Sequence, residues 1–353
     1  MLSARYFPYR LNFKFKAGTS RGILQNKDSW FIEVWDTQSP DNKGIGECSL
    51  IDGLSPDRLS GFEQKLNEVC TNIHQIDENL KRSLIEFPAI RFGLETALRD
   101  LESGGKKILF QSPFTDGLAS IPINGLIWMG QYQEMLARIQ KKTEEGFHCL
   151  KMKVGAISFE EEIKLLQLIR KEFNPESLEI RLDANGAFSA GEALSKLEQL
   201  SVYQIHSIEQ PIRVRQWEAM TTLCQKSPIP IALDEELIGI GSSSELSRML
   251  QIIHPKYIIL KPSLIGGLSV ADQFIQAAES NRVEWWVTSA LESNIGLNAI
   301  AQWTYTLNNP MPQGLGTGQL FTNNLTSPLV IEEGRLHYHP EIAWNTENLM
   351  LKS

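Results

Sequence analysis

The sequence predicts an α/β protein in which a (β/α) barrel of the TIM type follows a smaller amino-terminal α+β domain. Three observations favour this fold: the length of 353 residues, β-rich runs confined to the first part of the chain, and a regular strand-turn-helix alternation from Ile121 onward. A barrel of this type takes about 250 residues, so the remainder suits a partner domain.

The first 118 residues predict strands followed by helices. The runs LNFKF, SWFIEVWD and KGIGECSL are short and β-rich, and the cluster TQSPDNKG joins the last two in an antiparallel hairpin. One helix is predicted from about Pro56 to Ser83. A second opens at Pro88 and closes at Gly104 and Gly105, in keeping with the preference for proline at helix starts and glycine after helix ends.

From Ile121 the chain predicts eight strands: IPINGLIW, HCLKMKV, LEIRLDAN, IHSIEQPI, PIALDEE, YIILKPS, EWWVTSA and PQGLGTG. Amphipathic stretches such as FEEEIKLLQLIRKEF separate them, which favours a parallel sheet closed into a barrel. The alternative is an open doubly wound sheet, but its glycine-rich dinucleotide fingerprint is missing after the first strand. We expect residues 119–321 to form the barrel, and residues 1–118, completed by 322–353, to form the α+β domain.

Composition excludes several classes of partner. The chain has 34 Lys and Arg against 42 Asp and Glu, a formal charge of -8, and no long run of like charge, which argues against nucleic acid and anionic membranes. Its four cysteines form no CxxC and suit neither a zinc site nor a disulfide framework. With no signal peptide or apolar span in the pattern, we expect a cytoplasmic enzyme. The sequence is compatible with a homo-oligomer and does not decide the oligomeric state.

Charged residues recur where the predicted barrel strands end. Asp183, Glu209, Asp234 and Lys261 are separated by 26, 25 and 27 residues, about one strand-helix unit each. Barrel enzymes keep their active sites at the carboxyl ends of the strands, so these side chains are expected to converge. Lys151 and Lys153 end the second strand and face the same side, because side chains two apart on a strand do so.

This pattern predicts metal-assisted removal of a proton next to a carboxylate. Three carboxylates form an all-oxygen site suited to Mg²⁺, with Mn²⁺ as an expected substitute. Burial and a second lysine nearby lower the pKa of a lysine, which makes a neutral amine available as a base. Taken singly, each feature has a plainer explanation: KMK as a solvated strand edge, and each acid as a loop residue or helix cap.

The motifs KMK, LDAN, IEQP, LDEE and LKPSLIGGL resemble the strand ends of the enolase superfamily, in its muconate-lactonizing-enzyme-like subgroup. Within it, TSALESNIGL, GLGTGQLF and GECSLIDGLS resemble the o-succinylbenzoate synthase family. The resemblance implies an amino-terminal domain that caps the barrel mouth, metal ligands Asp183, Glu209 and Asp234, and acid/base lysines Lys153 and Lys261. The substrate-binding residues we expect are Lys151, Asn185, Ser289, Glu292, Gly316, Thr317, Gly53 and Leu54.

The reaction implied by this resemblance is a syn dehydration of 2-succinyl-6-hydroxy-2,4-cyclohexadiene-1-carboxylate to o-succinylbenzoate for menaquinone synthesis. Lys153 would remove the proton and Lys261 would stabilise the enolate. Two loops, AGTSRGIL and CSLIDGLS, are expected to close over the small-molecule carboxylate. The alternatives are racemisation of N-acylamino acids, dipeptide epimerisation, and an inert barrel used as a scaffold. In the subgroup, dipeptide epimerases are expected to have an Asp-x-Asp motif at the eighth strand, which GLGTG lacks.

Overall fold

The computed structural model describes residues 1–19, 22–57, 60–75 and 78–346. Its first three strands, β1 (Leu2–Thr19), β2 (Gly22–Asp36) and β3 (Ser39–Ser49), form an antiparallel sheet in that order. The hairpin predicted between SWFIEVWD and KGIGECSL is present as β2 and β3. Among the described residues, no helix combines the length and apolar character that crossing a bilayer requires.

The helices behind this sheet differ in part from the prediction. The single helix expected from Pro56 to Ser83 is replaced by α1 (Phe62–Thr71), a 3₁₀ turn at Ile73–Gln75 and α2 (Glu78–Ser83). The predicted proline-to-glycine helix is present as α3 (Pro88–Glu102). It packs on β3 so closely that a Cβ on Gly46 would overlap the carbonyl oxygen of Gly93.

The alternation of strands and helices after residue 120 is confirmed. The described elements, in chain order, are β4 (Ser120–Pro122), β5 (Gly125–Ile127), α4 (Tyr132–Glu144), β6 (Cys149–Lys153), α5 (Phe159–Glu172), β7 (Glu179–Asp183), α6 (Ala193–Ser201), β8 (Ser207–Glu209), α7 (Trp217–Lys226), β9 (Ile231–Leu233), α8 (Ser243–Ile253), β10 (Tyr257–Leu260), α9 (Pro262–Ile265), α10 (Leu268–Ser280), β11 (Glu284–Val287) and α11 (Asn294–Thr306). Strands β5 to β11 form one curled parallel sheet in chain order.

The eighth strand predicted from PQGLGTG is reduced to two residues. Gln313 forms a parallel bridge with Ile123, and Gly314 forms one with Thr288. The Gly314 amide donates to the carbonyl of Val287 over 2.8 Å, and the Asn124 amide donates to the carbonyl of Gln313 over 3.0 Å. These bonds link the two edge strands, so the sheet closes through a short connection instead of a full strand.

The predicted strand IPINGLIW is divided between two sheets. Its first part is β4, which pairs with β13 (Arg335–Tyr338), while its second part is β5 of the barrel. Strand β13 also pairs with β12 (Leu329–Glu332). The three form a small antiparallel sheet.

The segment just before β12 contacts the first strand of the chain. The Thr322 amide donates to the carbonyl of Asn12 over 2.9 Å, and the Tyr9 hydroxyl donates to the carbonyl of Asn323 over 2.6 Å. The last part of the chain therefore contacts both the amino-terminal sheet and the barrel side. The division at residues 118 and 321 stays a proposal.

Four groups of buried apolar side chains hold these layers together. The largest lies between the barrel strands and their helices, a second lies between the amino-terminal sheet and its helices, and a small one inside the barrel consists of Ala232, Tyr257, Ile259 and Trp286. Another joins the two parts, since Phe31 and Ile45 of the sheet pack with Trp128 and Ile295 of the barrel. The amino-terminal sheet is thus fixed over the ends of the barrel strands by apolar contacts.

Candidate active site

Strand register brings the predicted charges to one level. In the parallel pairs, Lys153 lies beside Asp183, and Asp183 lies beside Glu209. Asp234 directly follows β9, and Lys261 directly follows β10. All five residues therefore lie at the carboxyl ends of barrel strands, as the spacing predicted. Lys261 follows the fourth strand after the one that carries Lys153, so the two lysines face each other across the barrel.

Ion pairs connect these side chains. Lys151 Nζ lies 3.0 Å from Asp183 Oδ2 and also donates to Glu209 Oε2. Lys153 Nζ lies 3.0 Å from the same Asp183 oxygen, and Lys261 Nζ lies 2.5 Å from Asp234 Oδ2. All of them are buried or nearly so, which makes the mutual neutralisation essential, because an unpaired buried charge is costly.

Burial and these charges act in opposite directions on the acids. Burial alone would raise the pKa of Asp183, but the ammonium groups of Lys151, Lys153 and Lys261 hold that pKa well below its usual range. Burial raises the pKa of Glu209 to about 8, and the neighbouring Asp183 adds to this effect. The ammonium group of Lys151 therefore compensates the negative charges of Asp183 and Glu209 only in part.

Lys151 and Lys261 differ from expectation. Lysine-lysine repulsion and burial were expected to lower lysine pKa values, and burial does act that way on Lys151 and Lys261. The effect of the carboxylates is nevertheless larger: Asp183 and Glu209 raise the pKa of Lys151, and Asp234 raises the pKa of Lys261. The acids on the neighbouring strands therefore outweigh burial and the second lysine.

Two of the three acids each have one oxygen free for a cation. Glu209 Oε1 and Asp234 Oδ1 are buried, and neither accepts a hydrogen bond from any described residue. Three carboxylates from consecutive strands form a donor set that suits a hard divalent ion. As placed, the described residues contain no group of three acids, histidines or cysteines arranged around one point. Lys151, bridging Asp183 and Glu209, occupies part of that space, so the ligand set stays a proposal.

Asn185 connects the base candidate to a further acid. Lys153 Nζ donates to Asn185 Oδ1 over 2.6 Å, and Asn185 Nδ2 donates to Glu235 Oε1 over 2.9 Å. The second bond fixes which end of the amide faces the lysine. Glu235 was missed from the sequence, although the doubled acid in LDEE was a signal for it.

A cavity of about 250 Å³ opens above these groups. Its polar residues at the strand ends are Lys151, Lys153, Asp183, Asn185, Glu235 and Lys261. Its apolar residues are Leu24, Ile51, Leu54, Leu126, Trp128, Ala290 and Leu291, of which only Leu54 was predicted. The cavity therefore has charged residues at the strand ends and an apolar wall. Part of that wall comes from the amino-terminal sheet and its loops, where the two predicted loops lie.

The structure brings most predicted substrate-binding residues to this cavity. Ser289, Gly316 and Thr317 line it, and the hydroxyls of Ser289 and Thr317 lie 2.6 Å apart. Glu292 and Gly53 do not line it. Glu292 is fully buried and accepts hydrogen bonds from the Ser263 hydroxyl and the Ala290 amide.

The predicted lid loop AGTSRGIL is only partly described. Gly22 and Leu24 from this loop line the cavity. Ser20 and Arg21 lie outside the described residues. In the loop CSLIDGLS, Ile51, Asp52 and Leu54 line the cavity, so both loops lie over the strand ends.

Comparison with known proteins identifies the family. A model described as "Enolase C-terminal domain-like" matches residues 134–341. An o-succinylbenzoate synthase of Desulfotalea psychrophila is 48% identical over 92% of this chain and 96% of that protein. The chain belongs to the enolase superfamily.

Solved structures of enolase-superfamily proteins share the fold. The crystal structure of MenC from Desulfotalea psychrophila has a TM-score of 0.84 and 43% identity, and the match covers 95% of this chain and 99% of that one. A dipeptide epimerase from Enterococcus faecalis, solved with Mg and the dipeptide L-Leu-L-Tyr, has a TM-score of 0.82 at 20% identity, covering 97% of each chain. This second likeness concerns the fold alone. The barrel and its amino-terminal cap are thus those of the enolase superfamily.

Proposed function

We propose that this enolase-superfamily chain is an o-succinylbenzoate synthase, a carbon-oxygen hydro-lyase of menaquinone synthesis. The observation that carries the proposal is the position of Lys153 beside Asp183 on one side of a cavity that Lys261 enters from the other. The 48% identity to the Desulfotalea synthase supports the same activity. The substrate proposed is 2-succinyl-6-hydroxy-2,4-cyclohexadiene-1-carboxylate.

The residues proposed to hold Mg²⁺ are Asp183, Glu209 and Asp234. The free oxygens of Glu209 and Asp234 fit such an ion, and enzymes of this superfamily depend on it. When bound, the ion supplies positive charge beside the substrate carboxylate, which makes the proton on the adjacent carbon more acidic. Mn²⁺ is the expected substitute.

The proposed chemistry then belongs to Lys153. Its neutral amine takes the proton from the ring carbon next to the carboxylate, and the C–H electron pair passes into an enolate. The resulting ammonium group gives that proton to the hydroxyl on the neighbouring carbon, which leaves from the same face as water. The enolate electron pair forms the new ring double bond as the C–O bond breaks, which makes the ring aromatic and needs no other reactant.

Two further groups hold the base and the charge in place. Asn185, fixed by Glu235, accepts a hydrogen bond from Lys153 and so limits the directions in which its amine can point. Lys261 places an ammonium group on the opposite side of the cavity, where it stabilises the enolate. An apolar wall that includes Leu54 and Leu291 excludes water from this space.

The composition of the wall near Gly314 also favours this substrate over a dipeptide. The cavity residues contributed by this connection are Gly314, Gly316 and Thr317, none of them acidic. A substrate ammonium group would need a carboxylate there. The arrangement suits a substrate whose far end is neutral or anionic.

Turnover of the cyclohexadiene carboxylate, measured with and without EDTA, tests the proposal. We expect aromatic product to form, activity to disappear with EDTA and to return with Mg²⁺. A chain that is fully folded and metal-loaded but produces no o-succinylbenzoate would contradict the proposed function.

Racemisation of N-acylamino acids is a second candidate, because Lys153 and Lys261 both reach the cavity and could act as opposed bases. Deuterium exchange separates the two. In a racemase, Lys261→Ala abolishes exchange at one enantiomer of the substrate. In a dehydratase, exchange at the single acidic carbon depends on Lys153 and survives that substitution.

A further inference from the structure

A buried carboxylate connects the amino-terminal sheet to the barrel. Glu47 on β3 is fully buried, as is Ser29 on β2, and Lys27 on β2 is 4% exposed. Lys27 Nζ lies 3.7 Å from Glu47 Oε1 and donates to the Ser29 hydroxyl, which in turn donates to Glu47 over 2.8 Å. Two opposite charges in the interior need such pairing, because burial penalises each of them.

The remaining hydrogen bonds of this carboxylate come from the barrel. The Ser293 amide donates to Glu47 Oε1 over 3.0 Å, and the Ser293 hydroxyl donates to Oε2 over 2.5 Å. The Gly296 amide donates to Oε2 over 3.1 Å. Ser293 is the N-cap of α11, so Glu47 binds the amides at the start of a helix from a different layer of the protein, where the helix dipole also favours a negative charge.

Close approach at this point requires a glycine. A Cβ on Gly296 would lie 2.9 Å from Glu47 Oε2 and 2.8 Å from the Cβ of Glu292. Neither neighbour has room to move, since Glu47 and Glu292 are both fully buried. The contact is therefore a specific fit between β3 and the start of α11.

The segment held by Glu47 continues directly into the cavity wall. Ser289, Ala290 and Leu291 line the cavity and precede Ser293 by only a few residues. Glu292 accepts hydrogen bonds from the Ala290 amide, over 2.7 Å, and from the hydroxyl of Ser263, which follows Lys261 by two residues. Movement at Ser293 would therefore be transmitted to the wall and to the turn that carries Lys261.

From this network we infer that Glu47, neutralised by Lys27, is a positioning residue: it holds the wall segment 289–293 against the amino-terminal sheet and so fixes the shape of the substrate cavity. The inference rests on the proposed function for its effect on turnover, while its structural part concerns the chain alone. Glu47 does not line the cavity and has no direct part in the chemistry.

The test compares Glu47→Gln with Glu33→Gln. Glu33 is a matched control because it is 6% exposed on the same sheet but pairs with Arg5 and not with the barrel. We expect Glu47→Gln to raise the rate of hydrogen exchange of amides 289–297 at least tenfold, and to raise KM at least fivefold while kcat changes less than threefold. Glu33→Gln should change none of these.

A double variant separates positioning from general stability. Lys27→Met in the Glu47→Gln background removes a lysine that has lost its ion-pair partner and keeps, among charged groups, only longer-range interactions with Glu292 and Asp28, so the melting temperature should recover in part while KM stays raised. If Glu47→Gln fails to fold, Ser293→Ala removes one donor and should produce the same changes in smaller measure. Unchanged exchange and KM in folded Glu47→Gln, or equal changes in Glu33→Gln, would overturn the inference.

Failure of the proposed function gives a different result. If the unmodified chain does not turn over the cyclohexadiene carboxylate, hydrogen exchange in 289–297 still decides whether Glu47 holds the segment.

Discussion

Asp57 makes the stability of the chain depend on pH in a way that a single substitution should remove. The side chain is 6% exposed, and its carboxylate accepts a hydrogen bond from the Ala89 amide at the start of α3, over 3.1 Å. Burial raises the pKa of Asp57 from 3.8 to about 7, although the amide of Ala89 opposes the change. In the pH range between these values the folded chain binds a proton that the unfolded chain has lost, so stability falls as pH rises.

The size of the effect follows from the shift. A difference of about 3 pKa units corresponds to about 4 kcal/mol in total, of which roughly 3 kcal/mol falls between pH 5 and pH 8. Asp57→Asn keeps an acceptor at the helix start but does not titrate. The free energy of unfolding of Asp57→Asn minus that of the parent should therefore be roughly 3 kcal/mol larger at pH 8 than at pH 5.

Urea unfolding of both proteins at several pH values measures this difference. Glu162→Gln is an independent check, because burial raises the pKa of Glu162 from 4.5 to about 7 as well. A difference between Asp57→Asn and the parent that is the same at pH 5 and pH 8, or that changes in the opposite direction, would exclude a raised pKa at Asp57.

Three other outcomes are expected. Lys153→Ala should lower kcat/KM roughly 10³-fold with unchanged circular dichroism, since positioned general bases contribute 10² to 10⁴; near-normal turnover would exclude Lys153 as the base. Gly46→Ala should lower the free energy of unfolding by about 3 kcal/mol, because the new methyl group meets the backbone of Gly93, and an unchanged urea midpoint would contradict this packing. The four cysteines are unpaired, so the melting temperature should be the same with and without dithiothreitol.

Local pattern predicted most of the fold. The alternation after Ile121 gave the barrel, and Pro88 with Gly104 bounded α3 within two residues. The break between α1 and α2 was not predicted, because Phe62 to Ser83 contains neither proline nor glycine. The division of IPINGLIW escaped for another reason: β4 is set by pairing with β13, more than 200 residues later, and no local signal records such a partner.

The site shows the same division between local and distant information. Strand-end charges could be predicted because one repeat length separates them, so Lys153, Asp183 and Lys261 were all found at the cavity. Leu24, Ile51 and Trp128 were missed, since apolar residues in a cap or loop have the same pattern whether they face a cavity or a core. Glu292 was proposed as a substrate ligand but supports the wall from behind, a distinction that depends on side-chain direction.

The bonds between Asn12 and Thr322 have a consequence for biosynthesis. During translation the first strand leaves the ribosome some 300 residues ahead of the segment that completes its hydrogen bonds. At 5 to 20 residues per second this is a delay of roughly 15 to 60 s. Throughout that interval a nascent β edge is open to other chains, so newly made protein should depend on chaperones more than refolding of the finished chain does.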